Sequence, residues 1–393
     1  MKKIAFFVQW MICGGIENSL IALTKELVKK GNFVTIYVIK KKGKFIDRIP
    51  EGVILKEIPM PESIRSKIPV GGTKVTVREC LAKGKMLSAV YFVVRHEFNK
   101  CEFAELNINK EKIPNLDEKY DIVVNYQMHS PFLIWYISEK ISAKQKFAWI
   151  HNDFTSTKYN IKTLNQYLKC VNHFFAVSKQ VENEFTCILP QYKEITHIAH
   201  NLIPVNDIKE LAQTFIPEEY QNTTDTIILS VGRLEEQKGF DLAIIACSLL
   251  KKKGKNIQWF VVGDGTQKRD LENEIRKYGL EDSFHLLGMK MNPYPYFANC
   301  DIYVQPSRHE GWGITLTEAK IFNKVVVTTN FAGAQEQIKD GVTGDIVKVD
   351  PSAISSRIER LIEEPERYML YVNNLKKEEL DNAINNEYFA FFE

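Results

Sequence analysis

The sequence predicts an α/β protein built from two doubly wound domains, each a largely parallel sheet with helices on both faces. Three observations carry this. Apolar, β-branched runs recur along the 393 residues and alternate with segments of helical period. The runs are continuous rather than polar on alternate residues, as in strands buried on both faces. The series also begins twice, at "KIAFFV" and again at "DTIILSV". A chain of this length can bury two separate cores.

In the first half, "KIAFFV" reads as a strand, "GIENSLIALTKELVKKG" as a helix closed by Gly31, and "NFVTIYVI" as the next strand. The alternation resumes with "YDIVVNY", "FLIWYISEKI", "KFAWIH", "LNQYLKCV" and "HFFAVS". In the second half "DTIILSVGR" is followed by "GFDLAIIACSLLKKKG", "IQWFVVG", "LENEIRKYG", "SFHLLG", "YPYFANC", "DIYVQPS", "ITLTEAKIF" and "KVVVTTN". The boundary is expected after "THIAHNLIPVN", where Pro204 and the polar stretch 206–226 precede a fresh strand. This gives an N-terminal domain over 1–205 and a C-terminal domain over 206–375. A C-terminal helix at about 376–393, rich in aromatic residues, is expected to pack back on the first domain.

With 45% hydrophobic and 26% charged residues, the composition is that of a soluble globular protein. Seven cysteines form no C-x-x-C pair and are odd in number, which suits reduced thiols in a cytoplasmic protein better than a disulfide framework or a zinc site. The charged, then apolar N-terminus is interrupted by Gln9 and runs into a helical pattern, so it reads as a buried first strand rather than an export signal. No apolar run approaches the roughly 20 residues of a membrane span. The net charge of +3 hides an asymmetry: residues 1–100 carry 19 Lys/Arg against 8 Asp/Glu, a net of +11, leaving −8 for the rest. Arg65, Lys67, Lys74, Arg78, Lys83 and Lys85, interleaved with "LSAVYFVV", suit reversible contact with an anionic membrane surface. A solvated helix face is the simpler alternative, and no nucleic-acid-binding motif accompanies the patch, so nucleic acid is not expected.

Ligands of doubly wound sheets bind beyond the C-terminal strand ends, so chemistry is sought there. In "SVGRLEEQKGFD", Arg233 and Lys238 follow a strand between Gly232 and Gly239 and precede a helix, a pairing that suits a diphosphate. Their alternative is a surface loop paired with Glu235, Glu236 or Asp241. "VVGDGT", containing Gly263, and "HLLGMK", containing Met289, are further strand exits. In "EGWGITLTE", Glu310 and Glu318 lie eight positions apart around Gly311 and Gly313, at a turn leading into a helix whose free N–H groups suit an anion. A capping loop with two solvated acids is the other reading. The first strand exits into "QWMICGGIENSL", where Gly14 and Gly15 open a helix. This is not G-x-G-x-x-G, which disfavours a nicotinamide or flavin cofactor.

Together "GGIEN", "VNYQMHS", "WIHND", "HNLIP", "SVGRLEEQKGFD", "VVGDG", "EGWGITLTEA" and "TNFAGAQEQIKDGVTGDIV" resemble the retaining GT-B glycosyltransferases of family 4, which build bacterial capsules, exopolysaccharides and lipid-linked glycans. The resemblance covers nearly the whole chain and is densest over 225–350. It implies two Rossmann-like domains facing each other across a cleft, with a nucleotide-sugar donor, most simply a UDP-sugar, held mainly by the second. Arg233 and Lys238 would bind the donor diphosphate, Glu318 the ribose, and Glu310 the transferred sugar. Backbone N–H groups from Gly311 to Thr315, including Gly313 and Ile314, would surround sugar and phosphate. Gly232 and Gly263 would belong to the donor site, main-chain groups near Met289 would frame the base, and Gly15 would approach the phosphates. His129 would meet the donor sugar, while His151 and Asp153 would face a glycan or polyprenyl-linked acceptor. The chain has no Asp-x-Asp, so neither metal nor other cofactor is expected. Fixed cations and N–H groups would instead stabilise the departing diphosphate. The resemblance further implies work in the cytoplasm, at the inner face of the cytoplasmic membrane. Competing readings are a GT-B epimerase or phosphorylase and a catalytically silent subunit that scaffolds a partner transferase.

Overall fold

The computed structural model describes residues 1–393 except 13, 67, 69–76, 78–79, 83, 91–92, 94–108, 152–160, 222 and 379–385, and the side chains of 163, 386 and 387. The chain divides into two units, Met1–Ile203 with Asn385–Glu393, and Pro204–Ile384.

The first unit holds a seven-stranded sheet: β1 (Lys3–Val8), β2 (Phe33–Val38), β3 (Val53–Glu57), β4 (Leu116–Asn125), β5 (Ile141–Ile150), β6 (His173–Ala176) and β7 (Thr196–Ile198). Their order is β3-β2-β1-β4-β5-β6-β7, and every neighbouring pair is parallel. Phe6, Phe7 and Val8 of β1 are fully buried, as a strand covered on both faces requires. Strand β3 lies outside the apolar-run reading because it is an edge: its sequence is VILKE, and Ile54 is exposed.

The second unit holds β8 (Thr226–Val231), β9 (Ile257–Val262), β10 (Phe284–Leu286), β11 (Ile302–Gln305), β12 (Val325–Thr329) and β13 (Gly344–Val347), ordered β10-β9-β8-β11-β12-β13 and again all parallel. One core joins the sheet to its helices. Phe240, Ile244 and Cys247 of helix Phe240–Lys252 pack with Trp259 and Val261 of β9, Ile302 of β11 and Ile354 and Ile358 of helix Pro351–Glu363. Each such large side chain contributes about 1.5–3 kcal/mol on burial. Helix Pro351–Glu363 starts where Pro351 needs no N–H partner and the Asp350 carboxylate accepts from Ser352 N (3.2 Å) and Ala353 N (3.3 Å).

The alternation of strands and helices is the one the sequence predicts, but besides β3 the short strands β7 and β13 lie outside the apolar-run reading, and two further segments differ. The polar stretch after Pro204 contains a helix, Val205–Ala212. In place of one helix over about 376–393, an α-helix ends at Lys377 in the second unit, and a 3-10 helix, Asn386–Phe392, belongs to the first. Aromatic packing favours the separate terminal piece. Phe392 meets Phe6 and Phe147 (ring centroids 6.2 and 5.6 Å), Tyr388 meets Trp149 (5.4 Å), and Glu393 pairs with Lys30 (3.3 Å). No helix among the described residues is long and apolar enough to cross a membrane.

Candidate functional site

The order of the second sheet reverses between β8 and β11, so the loops leaving these two strands emerge side by side although Lys238 and Glu310 within them are 72 residues apart in sequence. The β8 exit is tied to the next exit by Leu234 N to Asp264 O (3.0 Å) and Gln267 N to Leu234 O (2.9 Å). Gly263 permits this approach, since a Cβ there would sit 1.8 Å from the Gly232 carbonyl oxygen. Gly263 N in turn donates to Gly288 O (2.9 Å), which places the exposed Met289 beside the β9 exit. Gly232, Gly263 and Met289 thus share one rim.

Two of the acids that would neutralise Arg233 and Lys238 in a plain surface loop are bonded elsewhere. Glu235 accepts from Thr266 N (3.1 Å) and Oγ1 (2.8 Å). Asp241 holds Arg308 in a two-toothed pair (2.7 and 2.5 Å), and Arg308 N bonds Gln237 O (2.7 Å), which clamps the β8 and β11 loops together. Lys238 pairs instead with Glu310 Oε1, with side chains only 17% and 12% exposed. The same Oε1 accepts from Gln305 Nε2 (3.1 Å) and Ser307 Oγ (3.2 Å). Arg233 is exposed, and its guanidinium bonds nothing among the described residues.

Beyond Glu310 the chain turns into helix Ile314–Ile321. Gly313 caps it with φ +80°, a left-handed conformation that would strain any other residue, and a Cβ there would sit 2.8 Å from Phe331 Cζ. The N–H groups of Ile314 and Thr315 open the helix and have no acceptor within it. The turn is braced from below: Trp312 Nε1 donates to Thr317 Oγ1 (3.2 Å), which donates to Gln337 Oε1 (2.6 Å), and Gln337 Nε2 returns to Trp312 O. Glu318 lies on the buried side of the helix and accepts from Tyr294 OH (3.3 Å). The two glutamates are therefore not solvated caps. One is held in the loop beside a lysine, and the other is buried in the helix.

In the first unit the switch point lies between β1 and β4. Gln127, after β4, accepts from Gln9 N (2.8 Å) and donates to Glu17 Oε1 (3.1 Å) in the first turn of helix Gly15–Lys29. Gly15 is the first residue of that helix. His129 follows the same exit, half-buried. His151 is buried against the Tyr126 ring (4.6 Å) with both ring nitrogens lacking hydrogen-bond partners. Burial first, and the neighbouring His129 charge second, push its pKa down from 6.5 to about 3. The main chain of Tyr126 and the side chain of Asn201 pull the other way without reaching hydrogen-bond geometry. His151 is thus a neutral imidazole that can accept or donate, not a cation. Asp153 lies outside the described residues.

The basic segment needs one correction. Arg65 is buried, and its guanidinium bonds the carbonyls of Ile39, Ile58 (3.0 Å) and Met60 (3.5 Å) and pairs with Glu57 and Glu62. It is spent on the fold, because a buried guanidinium must fill its five donors. Lys85 is exposed beside Met86, Leu87 and Val90, with Leu87 89% accessible. Lys67, Lys74, Arg78 and Lys83 lie outside the described residues.

Sequence reasoning missed Gln305, Ser307 and Tyr294. The available signal was Gln305 itself, a polar residue closing the apolar strand "IYVQ".

Comparison with known proteins bears on this geometry. Residues 212–378 match the family model described as Glycosyl transferases group 1. Alpha-D-kanosaminyltransferase of Streptomyces kanamyceticus is 30% identical over 160 residues, 40% of this chain and 42% of that protein. The Campylobacter jejuni N-acetylgalactosamine-N,N'-diacetylbacillosaminyl-diphospho-undecaprenol 4-alpha-N-acetylgalactosaminyltransferase is 32% identical over 154 residues, 39% of this chain and 41% of that protein. The matched stretch thus spans less than half the length of these relatives. The Anabaena protein HepE, solved with UDP and glucose, superposes with a TM-score of 0.73 at 17% identity, covering 100% of this chain and 99% of its own. The fold is accordingly GT-B, and the unit that carries Arg233, Lys238, Glu310 and Glu318 matches the Glycosyl transferases group 1 family.

Proposed function

We propose that the protein is a retaining glycosyltransferase of family 4 that moves a hexose or related sugar from a nucleoside-diphosphate sugar, a UDP-sugar in the simplest form, to a glycan or polyprenyl-linked acceptor in bacterial surface-polysaccharide synthesis. The observation that carries the reading is the meeting of Lys238 with Glu310 beside the N-terminus of helix Ile314–Ile321. A cation, a hydroxyl acceptor and free N–H groups at one switch point suit a diphosphate attached to a sugar. Two of the curated relatives are named as sugar transferases, one of them acting on a diphospho-undecaprenol-linked glycan, and HepE was solved with UDP and glucose.

In this reading Arg233 and Lys238 hold the diphosphate as negative charge builds on it, Ile314 and Thr315 add N–H donors, Glu318 accepts from the ribose, and Glu310 accepts from a sugar hydroxyl. Each fixed donor of this kind is worth about 10²–10³ in turnover. His129 meets the transferred sugar and neutral His151 an acceptor hydroxyl. The acceptor proton passes to the departing phosphate on the face the sugar leaves, which retains configuration. The chain has no Asp-x-Asp, and the cations named here take the place a metal would fill.

The test is incubation with UDP-glucose, UDP-N-acetylglucosamine, UDP-galactose and GDP-mannose and a polyprenyl-diphosphate glycan, read by mass spectrometry and by the anomeric coupling constant of the product. A product with the donor's anomeric configuration, formed equally in EDTA, is expected. Inverted configuration would overturn the retaining reading, and activity abolished by EDTA and restored by Mn²⁺ the metal-free one. Absence of donor hydrolysis and transfer with every donor would favour a silent scaffolding subunit.

A further inference from the structure

Gln305 ends β11 with only 3% of its surface accessible, and both ends of its amide are committed. Its Oε1 accepts from Thr315 Oγ1 (2.8 Å) at the helix start and from Tyr303 OH (3.4 Å) within the strand. Its Nε2 donates to Glu310 Oε1 (3.1 Å). The amide orientation follows from chemistry: an ionised carboxylate only accepts, so the NH₂ end must face Glu310, and the two hydroxyls supply the oxygen's donors. Around Glu310 the donors are lopsided. Oε1 takes Gln305, Ser307 and Lys238, whereas Oε2 takes none among the described residues.

We propose that Gln305 is a positioning residue that divides the Glu310 carboxylate, holding Oε1 to the protein so that Oε2 is presented to a hydroxyl of the transferred sugar. The inference rests on the glycosyl-transfer reading above and adds to it a residue and an atom. Gln305 also links Glu310 to Thr315, so the loop acid and the helix N-terminus move as one piece. Lys238 cannot do this alone, because its flexible ammonium must also be free to meet a diphosphate.

Two variants test it. Gln305→Leu keeps the volume and removes the donor. A crystal structure of this variant without ligand is expected to show the Glu310 carboxylate rotated from its wild-type rotamer. With whichever donor of the four-sugar panel the wild type uses, kcat is expected to fall about 10–100-fold, while the Kd for UDP changes less than about threefold. Gln305→Glu places a carboxyl against Glu310, and two carboxyls sharing a site hold one proton between them. When protonated, the introduced group can donate as the amide does, so the ratio of variant to wild-type kcat is expected to rise at least about fivefold from pH 8 to pH 5.5. A residue that merely fills space would give no such recovery. An unmoved Glu310 carboxylate in Gln305→Leu, wild-type kcat in that variant, or a flat ratio in Gln305→Glu would each overturn the proposal. A wild type inactive on every donor would instead sink the glycosyl-transfer reading, and the crystal structure would then decide the positioning role by itself.

Discussion

Replacing Glu310 by Gln should tighten the binding of free UDP while damaging sugar transfer. Glu310 pairs with the ammonium that a diphosphate would take under the proposed function, and both side chains are largely buried. Two unit charges about 4 Å apart interact by about 4 kcal/mol at an effective dielectric of about 20, of which desolvation cancels a large part. Exposed pairs retain about 0–1 kcal/mol, and the slight exposure of this pair argues for a value just above that range. Taking about 1–2 kcal/mol as the competition that UDP must overcome, removal of the carboxylate should lower its Kd about 5–30-fold. The amide keeps an oxygen for hydrogen bonding but cannot hold the lysine by charge.

Isothermal titration with UDP on wild type, Glu310→Gln, Lys238→Gln and the double variant completes a cycle that isolates the coupling. Lys238→Gln should weaken UDP about tenfold or more, since it loses a charge-assisted contact. The double variant should resemble Lys238→Gln alone. Weaker binding in Glu310→Gln would refute the competition. Tightening that persists undiminished in the Lys238→Gln background would show that the gain comes from general repulsion and not through the lysine.

Three further outcomes are expected. Glu318→Ala should weaken UDP about tenfold but leave 2′,3′-dideoxy-UDP unaffected, because the ribose hydroxyls lose their acceptor; equal loss for both ligands would remove Glu318 from the ribose. His151, held down to about 3 from 6.5, is protonated first in the unfolded chain, so its contribution to stability is full above about pH 6.5 and is lost as the pH falls toward 3, about 2 kcal/mol of it by pH 5. His173 and His197, also lowered by burial, act in the same direction; urea titrations at pH 7.5 and 5 should show a smaller acid loss in His151→Gln, and an identical loss would refute the assignment. Vesicles containing anionic lipid should sediment the protein at low salt and release it at high salt, while Arg65→Gln should unfold it more readily because the buried guanidinium's carbonyl partners go unmet; equal indifference to anionic and zwitterionic vesicles would leave Lys85 and its apolar neighbours as an ordinary surface.

The fold was legible because buried parallel strands write themselves as apolar runs, and the loops with chemistry follow those runs directly. Edges were less legible: β3 leaves Ile54 and Glu57 exposed and its other three residues only half-buried, so VILKE lacks the density of a core strand. Burial of single polar side chains was not legible at all. Arg65 looks like one more charge of a basic surface until three carbonyls are seen to converge on it, and Gln305 looks like the frayed end of a strand until the acid it serves is brought to it.

What local sequence lacks is strand order. Lys238 and Glu310 meet only because β11 lies beside β8 rather than beside β10, and nothing in either loop encodes that adjacency. Once the order is known, the pairing has a consequence that neither motif suggests alone. Under the proposed function, the reversal brings together a cation and a hydroxyl acceptor for the two ends of one ligand, and it also pairs them with each other. Neither of these two largely buried charges then lacks a partner, which limits the cost of burying them. The bond is weak enough, on the magnitude above, for a diphosphate to displace it. Under the proposed function, a diphosphate on Lys238 would leave Glu310 with Gln305 and Ser307, so the acid would stay aimed while the cation changed partner.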